Sequence, residues 1–188
     1  MNTQRRTTTN IWAQLMLSST DTLRVARFLV HEWGIDPTRI VRNMHITVYF
    51  ADRPLDGVLS FEEPATVVIP AVRTRFMVMA RGGEIPRPDI EPANRKIGIR
   101  IQRQSVAMDT IFAYRQRILN YETAAALGHK PPSSRKRSAF GAPHFQPHMT
   151  LLTPGSGVNR DLTKLGSLFR ERIGNLQYDR FIVDVVGT

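Results

Sequence analysis

Cysteine is absent from the chain, which excludes disulfides and any thiolate-bound metal. Acidic residues are few: 16 Asp and Glu stand against 26 Lys and Arg, a net charge of +10 with histidine neutral. Long apolar runs are also lacking, and none comes near the roughly 18 residues that a membrane-spanning helix needs. The opening MNTQRRTTTN holds two arginines and no acid. The IWAQLML that follows is short for a secretory signal and has no small-residue cleavage site. These gaps point away from a disulfide-stapled secreted scaffold and from a helical membrane protein. The expectation is a cytoplasmic protein with no membrane partner. Its charge, carried mostly by Arg, suits phosphate-bearing ligands such as RNA or nucleotides.

What is present is enough apolar material for one core: 41% of the 188 residues are hydrophobic. Residues 1–10 read as a flexible basic tail and 11–188 as a single domain. Residues 11–17 read as a strand, followed by a helix capped at Ser19 or Thr20, with Leu23, Ala26, Val30 and Trp33 on its apolar stripe and Gly34 at its end. A turn at Asp36-Pro37 leads to a strand over 44–50. Residues 51–64 read as a loop, then 65–69 and 74–80 as an antiparallel pair. In KIGIRIQ, Ile97, Ile99 and Ile101 alternate with Gly98, Arg100 and Gln102. Ser105 caps a helix with Ala107, Ile111, Tyr114 and Ile118 inside. A long basic loop reaches a strand over 148–152, a third helix runs through Leu162, Leu165 and Phe169 to Gly174, and YDRFIVDVV closes as a strand.

Two of these strands share a pattern. MHITVYF places His45 and Thr47 two apart among Ile46, Val48 and Phe50; PHMTLLT does the same with His148 and Thr150 around Met149 and Leu151. Residues i and i+2 of a strand point to one face, about 7 Å apart. Each strand thus offers an imidazole and a hydroxyl side by side on an apolar support. One His-x-Thr match is weak, but two among five histidines, each with apolar residues between and after, is a specific signal.

HITV and HMTL, each on a strand, resemble the two signature motifs of the 2H phosphoesterase superfamily, whose members include bacterial 2′,3′-cyclic phosphodiesterases with 2′–5′ RNA ligase activity. The likeness covers most of the chain, with IWAQLML as first strand and FQPHMTLLT as second motif. Gln146 and Thr153 stand where many relatives carry Arg. The resemblance implies an α+β, bilobed fold: two small antiparallel sheets, helices on the outer faces, and a central cleft carrying both motifs. It implies that His45 and His148 act as general base and general acid, that Thr47 and Thr150 hold the phosphate oxygens, and that neither metal nor cofactor is required.

Other residues complete the reading. Tyr49 shares the face of His45 and Thr47 by alternation, and Arg100 lies opposite the isoleucine face as a phosphate contact. Phe140 and Phe145 flank the basic SSRKRS and offer stacking surfaces for a base, with core packing the alternative for at least one. HFQPH is not a metal pair, since extended backbone puts His144 and His148 about 13 Å apart. The expected activity is hydrolysis of a 2′,3′-cyclic phosphate or a 2′–5′ linkage by a monomer. Hydrolysis of cyclic oligonucleotide signals and catalytically idle RNA binding are the alternatives.

Overall fold

Alternation of buried and exposed side chains organises one sheet. The computed structural model describes residues 9–51, 60–80, 95–102, 106–125, 145–155 and 161–187. These form β1 (Thr9–Leu17), α1 (Ser19–Trp33), β2 (His45–Ala51), β3 (Phe61–Pro70), β4 (Thr74–Met79), β5 (Lys96–Ile101), α2 (Val106–Ala125), β6 (His148–Thr150), α3 (Leu162–Ile173) and β7 (Asn175–Gly187). The fold is α+β. Its seven strands lie in the order β3-β7-β1-β2-β6-β5-β4, every neighbouring pair antiparallel.

The two small sheets expected from the sequence are here one. β2 and β6 pair through Ile46 and Met149 and join a four-stranded half to a three-stranded half. Each would otherwise present an unpaired edge of N–H and C=O groups. Beyond the three-residue β6, the Leu151 and Leu152 N–H groups both donate to the Ile97 carbonyl, and Ile40 bridges to Leu152. Thr9 and Asn10, expected in the tail, already belong to β1.

One cross-strand row shows how the layers are built. Phe76, Ile99, Met149, Ile46, Leu15, Phe181 and Glu63 stand in register across all seven strands. The first six are buried. Glu63, at the edge, meets Arg117 of α2 through two bonds of 2.6 and 2.7 Å. The three helices pack on this face: Phe169 of α3 stacks on Phe76 and on Phe28 of α1, and Tyr114 of α2 on Phe181. Burying one such aliphatic or aromatic side chain stabilises by about 1.5–3 kcal/mol. A one-residue slip of β2 would exchange Ile46 for His45 or Thr47, so the register is strongly held.

The helix ends follow local chemistry. The Ser18 hydroxyl accepts from the Asp21 N–H at the start of α1, and Gly34 closes that helix at φ 63°. Asp161 accepts from the Thr163 and Lys164 N–H groups to open α3. β3 begins earlier than expected and includes Pro64, tolerated because β3 is an edge strand whose register shifts between Pro64 and Val67.

Gly98 of β5 pairs with Thr150 of β6. A Cβ there would lie 2.4 Å from the Met149 carbonyl oxygen and 2.1 Å from Met79 Cε. The backbone oxygen cannot swing aside as a side chain can. Gly98→Ala is therefore expected to destabilise the fold by about 1–3 kcal/mol, the usual cost of overpacking, read as a lower urea midpoint with unchanged m-value.

Candidate active site

Because Ile46 and Met149 face the helices, their strand neighbours face the other way. His45, Thr47, His148 and Thr150 are half-buried on this second face. An antiparallel pair carries a local two-fold axis. With Ile46 opposite Met149, that axis carries His45 onto His148 and Thr47 onto Thr150. The two imidazoles are diagonal neighbours, for which backbone spacing is about 7–8 Å.

The same equivalence extends to how each ring is held. The His45 Nδ1–H donates to the Asn43 carbonyl (2.8 Å) and the His148 Nδ1–H to the Gln146 carbonyl (3.0 Å). A carbonyl oxygen can only accept, so the neutral ring must carry its proton on Nδ1. Nε2 is left on both rings for chemistry, as an acceptor when neutral and a donor when protonated.

Burial lowers the His45 pKa, partly offset by the Asn43 bond. Burial is also the largest cause for His148. The positive charges of Arg100, His45 and Lys96 lower it further, against the Gln146 bond. His148 therefore senses the charge of His45, and both rings favour the neutral form.

The residues beside the motifs differ on the two flanks. On the β5 and β4 side, Arg100 pairs with His148 and Arg75 with Arg100, while Lys96 is also close enough to repel a charged His148. On the β1 side Gln14 pairs with Thr47 and Met16 with His45. The Trp12 Nε1–H donates to Thr47 Oγ1 (3.2 Å), and the Trp12 and His45 rings meet edge to face at 5.5 Å. The Gln14 amide donates to Asp184 Oδ2 at 3.2 Å.

Arg100 thus lies on the face of the motifs, as its alternation predicts. Tyr49 and Phe145 do not. β2 carries an extra residue at the shift between Ala13 and Gln14, where Thr47 pairs with Gln14 but Tyr49 with Ala13. This bulge turns Tyr49 to the helix face, where it is fully buried. Phe145 is fully buried too, against Phe112 and Arg115. Both lie within the core and offer no surface to a ligand. Phe140, His129, His144 and the SSRKRS loop lie outside the described residues.

Two residues that sequence reasoning passes over matter here. Trp12 is 40% exposed, on the opposite parity from buried Ile11 and Ala13. Arg115 is 3% exposed, four residues after Ile111 and hence on the inner side of α2. Its guanidinium lies over the Tyr49 ring (5.5 Å) and the Phe145 ring (4.7 Å), and Nη1 donates to the Val48 carbonyl at 3.0 Å. Burial lowers its pKa to about 10. It fastens the bulge of β2 to the segment that enters β6.

Among the described residues no group of three or more His, Cys, Asp or Glu could hold a metal ion, and no helix is long and apolar enough to cross a membrane. A cavity of about 370 Å³ lies between α1 and residues 37–42 and contains none of the motif residues. The chain matches no protein-family model, and no curated protein matches it in sequence.

The lowered histidine pKa values carry a stability consequence. Unfolded histidines take up protons as the pH falls through about 6.5, the ordinary value, while the folded pair resists until lower pH. Stability is complete above that value and is lost as the pH falls towards the folded pKa values. Denaturation midpoints measured between pH 7.5 and 5 should decline, and the decline should be shallower in a His45→Ala/His148→Ala double variant.

Proposed function

We propose that the chain is a phosphodiesterase of 2H type, acting on a 2′,3′-cyclic phosphate or a 2′–5′ linkage in RNA or small nucleotides. One observation carries this reading: two histidines, equivalent under the β2–β6 axis, each with Nδ1–H tied to a main-chain carbonyl and Nε2 left for proton transfer on the same face. The finer architecture belongs to the proposal as well. The two halves of the sheet, hinged at the short β2–β6 seam, act as the lobes of a cleft that a diester enters.

Hydrolysis of such a diester needs proton transfer at two oxygens on opposite sides of phosphorus. One neutral Nε2 takes a proton from water as its oxygen attacks phosphorus. The Nε2–H of the other ring gives a proton to the ribose oxygen as the P–O bond breaks. A phosphomonoester and a free hydroxyl result. In the reverse direction the rings exchange roles, which their equivalent settings permit. Thr47 and Thr150 donate to the non-bridging oxygens. Arg100, with Lys96 nearby, supplies the positive charge that stabilises the developing negative charge, in place of the arginines that many 2H proteins carry at the positions of Gln146 and Thr153. Both motifs come from one chain, so a monomer suffices.

The test is turnover of 2′,3′-cyclic, 2′–5′-linked and cyclic oligonucleotide substrates by the intact protein. His45→Ala or His148→Ala is expected to lower kcat by about 10²–10⁴-fold. The kcat/KM profile should be bell-shaped with its maximum on the acid side of 6.5, because both free-enzyme pKa values are lowered. Full activity in either variant overturns the mechanism. Salt-sensitive RNA binding without turnover would instead favour an idle binding module.

A further inference from the structure

The two motifs are equivalent but their surroundings are not, and the difference orients a ligand. The β2–β6 axis carries the Gln14–Thr47 pair onto Gly98–Thr150, and Met16–His45 onto Arg100–His148. On the β5 and β4 side the neighbours are thus a glycine and cations. On the β1 side stands Trp12, opposite half-buried Phe50 in the register.

Trp12 is tied to both residues of the first motif: Nε1–H donates to Thr47 Oγ1, and its ring and that of His45 meet in a T-shaped contact. Those contacts fix its orientation, yet it remains 40% exposed, whereas the chain's other tryptophan, Trp33, is 7% exposed. A large aromatic ring held rigid and left open beside the phosphate-handling groups is a stacking floor, and every nucleobase has a π-face to lay on it. The cationic flank offers no such ring among the residues paired with β6.

We infer that Trp12 is the floor of a nucleobase subsite, so that a nucleotide lies with its base over β1 and its phosphate between the histidines. The Trp12 bond to Thr47 has a second effect. A hydroxyl that accepts from an indole N–H keeps its own proton to donate, so Trp12 also aims Thr47 at a phosphate oxygen. The subsite names the ligand class of the site proposed above and rests on that reading for the phosphate position.

Equilibrium binding tests it without turnover. The intact protein is titrated by calorimetry with adenosine 2′-monophosphate and with ribose 5-phosphate, and tryptophan emission is followed in parallel. The base-bearing ligand should bind about 5- to 150-fold more tightly, the usual worth of one stacked base, and should quench emission. Trp12→Leu should abolish the preference, and Trp12→Phe, which keeps a ring, should retain most of it. Equal affinity for the two ligands, absence of quenching, an undiminished preference in Trp12→Leu, or equal loss in both variants would overturn the inference. A protein that binds bases through Trp12 but cleaves nothing refutes the catalytic reading alone. One that cleaves diesters while indifferent to Trp12 refutes this inference alone.

Discussion

The pairing of Ile46 with Met149 is the contact on which everything else in this molecule depends. It joins the two halves of the sheet and sends both side chains into the core. By the period of the strand it turns two histidines and two threonines to the opposite face as symmetric copies. Core packing and site geometry are therefore one constraint. The apolar partners that make a register slip costly are the same residues that aim the imidazoles.

Symmetry at the centre and asymmetry at the flanks divide the work. On the proposed reading, a symmetric pair of proton carriers suits a reaction run in either direction but cannot tell one end of a substrate from the other. The strands outside the pair would supply that distinction. β5 and β4 place Arg100 and Arg75 opposite each other in the register. β1 brings carbon and nitrogen rings instead of charge.

Much of this could be read from the amino-acid order because strand alternation is local. The parity of His45, Thr47, His148 and Thr150 needs only a period of two, and the isoleucines of β5 give away the face of Arg100 in the same manner. Tyr49 obeys that parity on paper and breaks it in the fold, since the bulge at Val48 arises from how β1 pairs with β2 and leaves no mark in MHITVYF itself. Phe145 looked available for the same reason, its neighbourhood in sequence being basic and polar. Its actual neighbours, Phe112 and Arg115, come from a helix far away along the chain. The single sheet was hidden likewise: two strands announce that they are strands, but not that they are each other's partners. Of the helix ends, the stops at Gly34 and Gly174 were legible, whereas the cap of α1 is Ser18 rather than Ser19 or Thr20, since one residue decides which hydroxyl meets the free N–H of the first turn.

The choice of a main-chain oxygen as the hook for each imidazole has an evolutionary reach. A histidine steered by an aspartate loses its tautomer whenever that aspartate is replaced. Here the steering atom belongs to the peptide of Asn43 and of Gln146, and every amino acid supplies it. The side chains at 43 and 146 can drift without disturbing which nitrogen is bare. The backbone trace, rather than a guarded partner, keeps the two rings fit for use.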